Sequence, residues 1–186
     1  MNLKKKISIG VLLIIIILIG VLIFFGSTYS INPRIGEHIQ FSYTKYPGYQ
    51  TQIADLLCKN YDGFEVDPHE LAIGLTDLND DGLDDIVVFS RASGISGYGG
   101  GYTGFYLVTS RGLKFLSDMC LTEGHLYKCS QKTNGYYDIL SYVVGYNSDP
   151  LEDRKLLLSW DQKSGYDYKW IKPITDKERK RELQYE

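Results

Sequence analysis

The chain begins with a basic stretch, Lys4 to Lys6, followed by an apolar run from Ile7 to Gly26 that contains no charged residue. The twenty residues of this run, at about 1.5 Å of helical rise each, span the roughly 30 Å hydrocarbon core of a bilayer. Because basic flanks stay in the cytoplasm, we expect the N-terminus inside the cell and the C-terminal domain outside it. The sequence predicts a single-pass protein of the cell membrane, anchored through residues 7–26.

A cleavable signal peptide is the alternative interpretation of the same segment. Signal peptides have a shorter apolar region of about 7 to 15 residues and an A-x-A-like cleavage site. The residues after Phe25 offer only a weak version of that site, Thr28-x-Ser30. We therefore favour an uncleaved membrane anchor, residues 1–26, over removal of the segment.

The remaining residues, 27–186, have the size of one domain. They carry 17 lysines and arginines against 23 aspartates and glutamates, a net charge of about −6. Binding to nucleic acid requires a basic surface that displaces counterions from phosphate. The acidic balance therefore argues against a nucleic-acid partner.

Hydrophobic periodicity predicts an α+β fold for the external part. Residues 27–50 are expected to be an irregular juxtamembrane segment with turn signals, and 51–174 an extracytoplasmic domain. Within that domain we expect a short helix around Ile53 to Tyr61 and one mainly antiparallel sheet of about six to eight strands. Residues 175–186 are polar on every side and are expected to form a solvated C-terminal tail.

The segment 77–85, Asp-Leu-Asn-Asp-Asp-Gly-Leu-Asp-Asp, is typical of a calcium loop. Calcium takes six to eight oxygen ligands, and side chains at alternate positions of a tight turn supply them. The glycine at the sixth position, Gly82, permits the sharp turn that such a loop needs. The predicted metal ligands are the side chains of Asp77, Asn79, Asp81 and Asp85 and the backbone carbonyl of Leu83.

This loop has two other interpretations. In an EF-hand the twelfth position is a glutamate on a helix, whereas this chain has Val88 there, inside a strand-like run. The loop is therefore expected to join two strands. A plain acidic turn remains the alternative, because Asn, Asp and Gly are ordinary turn residues.

The loop resembles the Asp-x-Asp-x-Asp-Gly-x-x-Asp element of FG-GAP and VCBS repeats, with Asn79 in place of one aspartate. The resemblance implies calcium at Asp77, Asn79, Asp81 and Asp85, but the motif occurs once, so a propeller of repeats is not implied. About 90 residues are similar to small bacterial envelope proteins that combine this loop with a Gly-rich segment, here 97–104, and an Asn-Gly-aromatic-x-Asp strand, here 134–140. That group has no activity to transfer; it implies a fold and a location.

No catalytic constellation is visible in the sequence, so we expect a protein that is not an enzyme. The Gly-x-Gly-x-x-Gly letters at 99–104 precede a strand-like run rather than the helix that a phosphate-binding loop requires.

Of the three cysteines, Cys120 and Cys129 are closest in sequence and are expected to pair, leaving Cys58, although any of the three pairs is possible.

Two classes of function remain open at this point. The first is a membrane-anchored, calcium-binding module of the bacterial cell envelope with a binding or structural role. Its partner would be another envelope protein or a glycan, and the sixteen tyrosines could supply the contact surface. The alternative is an envelope inhibitor or immunity-type protein that blocks a secreted enzyme through the Gly-rich segment.

Overall fold

Runs rich in β-branched and aromatic residues form nine strands in the described part of the chain. The computed structural model describes residues 35–61, 65–92, 94–96, 101–122, 124–143 and 154–173. The strands are β1 (Ile35–His38), β2 (Ala72–Thr76), β3 (Asp85–Ser90), β4 (Gly101–Thr109), β5 (Gly112–Thr122), β6 (Leu126–Thr133), β7 (Tyr136–Val143), β8 (Arg154–Asp161) and β9 (Gly165–Pro173). All the pairings are antiparallel.

The strands divide into two sheets, which corrects the predicted α+β fold with one sheet. One sheet has the order β2-β3-β4-β5 and the other β1-β6-β7-β8-β9. The described chain is therefore mostly β, with two antiparallel sheets and one short α-helix. Alternation of polar and apolar residues marks where strands occur, but it does not specify which strands share a sheet. That choice depends on contacts between residues distant in sequence.

The two sheets share a hydrophobic cluster, here called the inter-sheet core. The Phe105 ring of β4 lies 4.5 Å from the Tyr166 ring of β9, centroid to centroid. The backbone N–H of Tyr166 also donates to Ser117 Oγ of β5 at 3.0 Å. The buried members of the core are Ile39, Leu78, Val87, Phe105, Leu126, Ile139, Leu156, Leu158 and Tyr166.

The α-helix, α1 (Pro47–Asn60), packs on the four-stranded sheet through a second cluster, here called the helix-side core. Pro47 begins the helix, where its missing N–H costs nothing. Ile53 and Leu57 are buried against residues such as Ile86 and Val88 of β3. The buried members of this core are Ile53, Ala54, Leu57, Val66, Leu71, Ile73, Ile86, Val88, Ile95, Tyr102 and Tyr106. Since Val87 faces the inter-sheet core, β3 is covered on both faces, and its continuous apolar run follows from that.

Part of the segment predicted to be irregular has regular structure. Residues 35–38 form β1, which pairs with β6, and α1 begins at Pro47 rather than near residue 51. A strand of four residues, including Gly36, carries too little periodicity to be recognised. Its pairing with β6 is a tertiary contact.

The expected disulfide between Cys120 and Cys129 is wrong. All three cysteines are free thiols. Cys120 lies in β5 and packs against the helix-side core. Cys129 lies in β6, in a separate cluster with Leu140 and Leu157. Nearness in sequence misleads here because the chain crosses from one sheet to the other between these two cysteines.

The predicted membrane span, 7–26, and the predicted tail, 175–186, lie outside the described residues. Within the described ranges, no helix combines the length and the apolar character that crossing a bilayer requires.

A pair of leucines tests the inter-sheet core. Leu78 is fully buried in it, whereas Leu83, five residues later, is 50% exposed. We expect Leu78→Ala to lower the free energy of unfolding by about 2 to 5 kcal/mol, because it removes a buried side chain and leaves a cavity. Leu83→Ala should change it by less than about 0.5 kcal/mol. Urea unfolding of both variants measures the difference, and equal losses would contradict the assigned core.

Candidate metal centre

The predicted calcium loop connects β2 to β3 and is shaped by the carboxylate of Asp77. Asp77 Oδ1 accepts hydrogen bonds from the backbone N–H groups of Asn79 (3.2 Å) and Asp80 (2.6 Å). Asp77 Oδ2 accepts from the N–H of Gly82 at 3.0 Å. Asp80 and Gly82 have φ values of 68° and 82°. Glycine and aspartate tolerate this left-handed backbone better than most residues, so the sequence suits the sharp turn.

Asn79 and Asp81 are held together in the same loop. The Asn79 side-chain amide donates to Asp81 Oδ2 at 2.9 Å, and the Asp81 N–H donates to Asn79 Oδ1 at 3.2 Å. Asp81 Oδ1 accepts from the N–H of Leu83 at 2.9 Å. These bonds hold the side chains of two predicted metal ligands, Asn79 and Asp81, against each other.

Asp85 occupies a different environment from the other loop acids because it is fully buried at the start of β3. Its Oδ2 accepts from the N–H of Leu78 and its Oδ1 from the N–H of Val108 in β4, both at 3.0 Å. Burial raises the pKa of Asp85. The two backbone hydrogen bonds oppose that increase, and the charges of Asp81 and Asp77 add to it. Asp85 therefore fastens the loop to the neighbouring strand.

Leu78 fixes the other side of the loop. Its side chain is buried in the inter-sheet core, and its carbonyl accepts a hydrogen bond from the N–H of Tyr137 in β7 at 2.8 Å. The loop is thus attached to β4 through Asp85 and to β7 through Leu78. It therefore contacts both sheets.

Asp80 points to β6 and β7 and forms contacts that the sequence did not reveal. Its carboxylate pairs with Lys132 Nζ at 2.7 Å and accepts from the Tyr137 hydroxyl at 3.2 Å. The hydrogen bond and the charge of Lys132, followed by the bond from Tyr137, lower the pKa of Asp80. The Lys132 ammonium also lies 4.3 Å from the centre of the Tyr137 ring. No local pattern marks this contact, because 52 residues separate Asp80 from Lys132.

The residues of the loop fit calcium by donor type. Their side chains offer only oxygen, the donor that calcium prefers. Among the described residues, Asp77, Asp81 and Asp85 form no salt bridge. In the same ranges, however, no three acidic, histidine or cysteine side chains are arranged as a ready metal-ligand set. Asp85 is fully buried, whereas Asp77 and Asn79 are half-buried and Asp81 is exposed, so these three are the more accessible candidates for direct ligands.

A buried hydroxyl lies at the base of the loop. Thr76 pairs directly with Asp85 across β2 and β3. Its side chain is 4% exposed, and its Oγ1 forms no hydrogen bond with the described chain. An unsatisfied buried polar atom normally has a water or an ion as its partner.

Comparison of the chain with protein-family models, curated proteins and solved structures finds no match. The resemblance of the loop to FG-GAP and VCBS elements therefore stays a prediction from the residues 77–85.

Substitutions of two neighbouring aspartates, Asp84 and Asp85, test whether the Asp85 carboxylate holds the loop to β4. Asp85→Ala should lower the free energy of unfolding in chelator by about 2 to 4 kcal/mol, because two backbone donors lose a buried acceptor. The exposed neighbour Asp84 is the matched control, and Asp84→Ala should change stability by less than about 0.5 kcal/mol. The free energy of unfolding of both variants is measured by chemical denaturation in the absence of calcium. A loss below 1 kcal/mol for Asp85→Ala would contradict the role.

Proposed function

We propose that this protein is a calcium-binding module of the bacterial cell envelope, anchored in the membrane and serving a binding or structural role. The observation that carries the proposal is the folded loop 77–85. In this loop the Asp77 carboxylate accepts hydrogen bonds from three backbone amides, and the side chains of Asn79 and Asp81 are hydrogen-bonded to each other. This turn presents hard oxygen donors at alternate positions, as a calcium loop does.

The charge distribution supports the proposal. The charges of Asp77 and Asp81 both disfavour ionisation of buried Asp85, so the three carboxylates act on one another. Like charges in a partly buried site destabilise the folded state unless a cation offsets them. In the described part of the chain, the lysine that pairs with this loop is Lys132, and it binds Asp80. A divalent cation among the remaining acids would relieve the repulsion.

The proposed cation site involves Asp77, Asn79 and Asp81 directly. The backbone carbonyl of Leu83 would complete it, and Asp85 would contribute from the second side or through water. Bound calcium supplies positive charge and rigidity rather than catalysis. Its effect would pass to both sheets, because Asp85 and Leu78 attach the loop to β4 and β7.

The partner class rests on the sequence and on exposed aromatic residues. Extracytoplasmic location follows from Lys4 to Lys6 and the apolar run 7–26, so the partner would be an envelope protein or a glycan. Tyr43 (47% exposed) and Tyr168 (40%) offer rings to such a partner. The inhibitor alternative gains no support from the Gly-rich segment, since its described part, 101–104, is a buried stretch of β4.

Calcium should stabilise the protein measurably. A cation that binds only the folded loop contributes RT ln(1 + [L]/Kd). With a Kd of about 10⁻⁴ to 10⁻³ M, typical of extracellular modules, about 1 mM calcium should add roughly 0.4 to 1.4 kcal/mol. Asp81→Ala should abolish most of the calcium-dependent increase in melting temperature. Asp84→Ala should preserve it. Identical calcium responses in the two variants, or none in the wild type, would contradict the proposal.

Membrane topology is tested separately. A reporter fused after Glu186 should be active only outside the cytoplasm, and the protein should remain in the membrane fraction with Met1 or Asn2 as its first residue. The measurement is N-terminal sequencing of the protein recovered from the membrane and soluble fractions of cells. Recovery of a soluble form that begins near Ser27 would show that the anchor is removed.

A further inference from the structure

Cys58 and Cys120 lie beside the same hydrophobic cluster, although they are distant in sequence. Both thiols are half-buried and pack against the helix-side core. Cys58 lies in the last turn of α1, and its Sγ accepts from the N–H of Val66 at 3.4 Å. Cys120 lies near the end of β5 and donates to the Ile95 carbonyl at 3.2 Å. Val66 and Ile95 are themselves members of that core.

A side-chain hydrogen bond joins the two segments that carry these thiols. Tyr61, three residues after Cys58, donates its hydroxyl to Asp118 Oδ2, two residues before Cys120. Burial raises the pKa of Tyr61, as do the hydrogen bond and the charge of Asp118, and Cys120 adds a further increase. The hydrogen bond between Tyr61 and Asp118 thus connects the residue that follows α1 to β5.

We propose that Cys58 and Cys120 form a disulfide when the folded protein meets a disulfide donor, and that Cys129 takes no part. A disulfide requires Cα atoms about 4.4 to 6.8 Å apart. The last turn of a helix frays readily, so the backbone around Cys58 can adjust to that distance. The inference is independent of calcium and extends the proposed function to a covalent connection between α1 and the four-stranded sheet.

The reaction with oxidised glutathione is a balanced two-step exchange. The thiolate of one cysteine attacks a glutathione sulfur, forms a mixed disulfide and releases one glutathione thiolate. The thiolate of the second cysteine then attacks the protein sulfur of that mixed disulfide and releases the other glutathione. Two protein thiols are oxidised, one disulfide donor is reduced to two glutathione molecules, and these take up the two protons.

The third thiol is protected by its surroundings. Cys129 is 1% exposed and packs in its own cluster on the five-stranded sheet. Burial, together with the nearby charge of Asp138, raises the pKa of Cys129 to about 12. Thiol exchange needs an accessible thiolate, and Cys129 provides neither the access nor the charge.

The experiment uses the full chain, purified with reduced thiols and then incubated with oxidised glutathione. After free thiols are blocked, mass mapping of unreduced peptides should find the Cys58 peptide joined to the Cys120 peptide. The oxidised protein should melt on the order of 10 °C higher than the same sample after reduction, because the bond closes a long loop.

Three serine variants provide the controls. Cys129→Ser should keep both the disulfide and the increase in melting temperature, whereas Cys58→Ser and Cys120→Ser should lose both. A bond from Cys129 to either partner, or three free thiols in folded wild-type protein after incubation, would overturn the proposal. Mapping of the wild type decides the matter even if a variant fails to fold.

Discussion

The buried carboxylate of Asp85 is the contact on which the arrangement of the described domain depends. It accepts backbone hydrogen bonds from Leu78 and Val108, so one side chain connects the 77–85 loop to β3 and β4. Asp85 holds the backbone of Leu78 in place. The Leu78 side chain then lies in the inter-sheet core, and the Leu78 carbonyl accepts a hydrogen bond from Tyr137 of β7. A short acidic loop thereby takes part in packing both sheets.

This role has an electrostatic cost. The folded protein holds the Asp85 proton more tightly than the unfolded chain does, because burial and the charges of Asp81 and Asp77 raise its pKa. The contribution of Asp85 to stability therefore falls as the pH rises from its ordinary pKa of 3.8 to its higher folded value. At neutral pH the loop carries this unfavourable charge in full. A bound cation would offset it, which gives calcium a structural reason to bind.

Local patterns sufficed for some features and not for others. Asp77, Asn79, Asp81 and Gly82 predicted a tight acidic turn between strands, because side-chain-to-backbone hydrogen bonds form within a few residues. The division into two sheets was not predictable, since it depends on distant packing such as that of Phe105 on Tyr166. The long-range polar contacts and the positions of the thiols could not be predicted from the sequence for the same reason. Nothing near Asp80 points to Lys132, and nothing near Cys120 points to α1.

Calcium binding by the loop is tested by titrating the external domain with calcium while recording the NMR signals of individual backbone amides. We expect millimolar calcium to shift the amide signals of residues 79–84. The Leu78 and Val108 amides should stay protected from hydrogen exchange with and without the ion, because Asp85 holds them in both states. If the signals of residues 79–84 do not move up to about 10 mM calcium, the acidic loop is a structural turn and the calcium proposal is wrong.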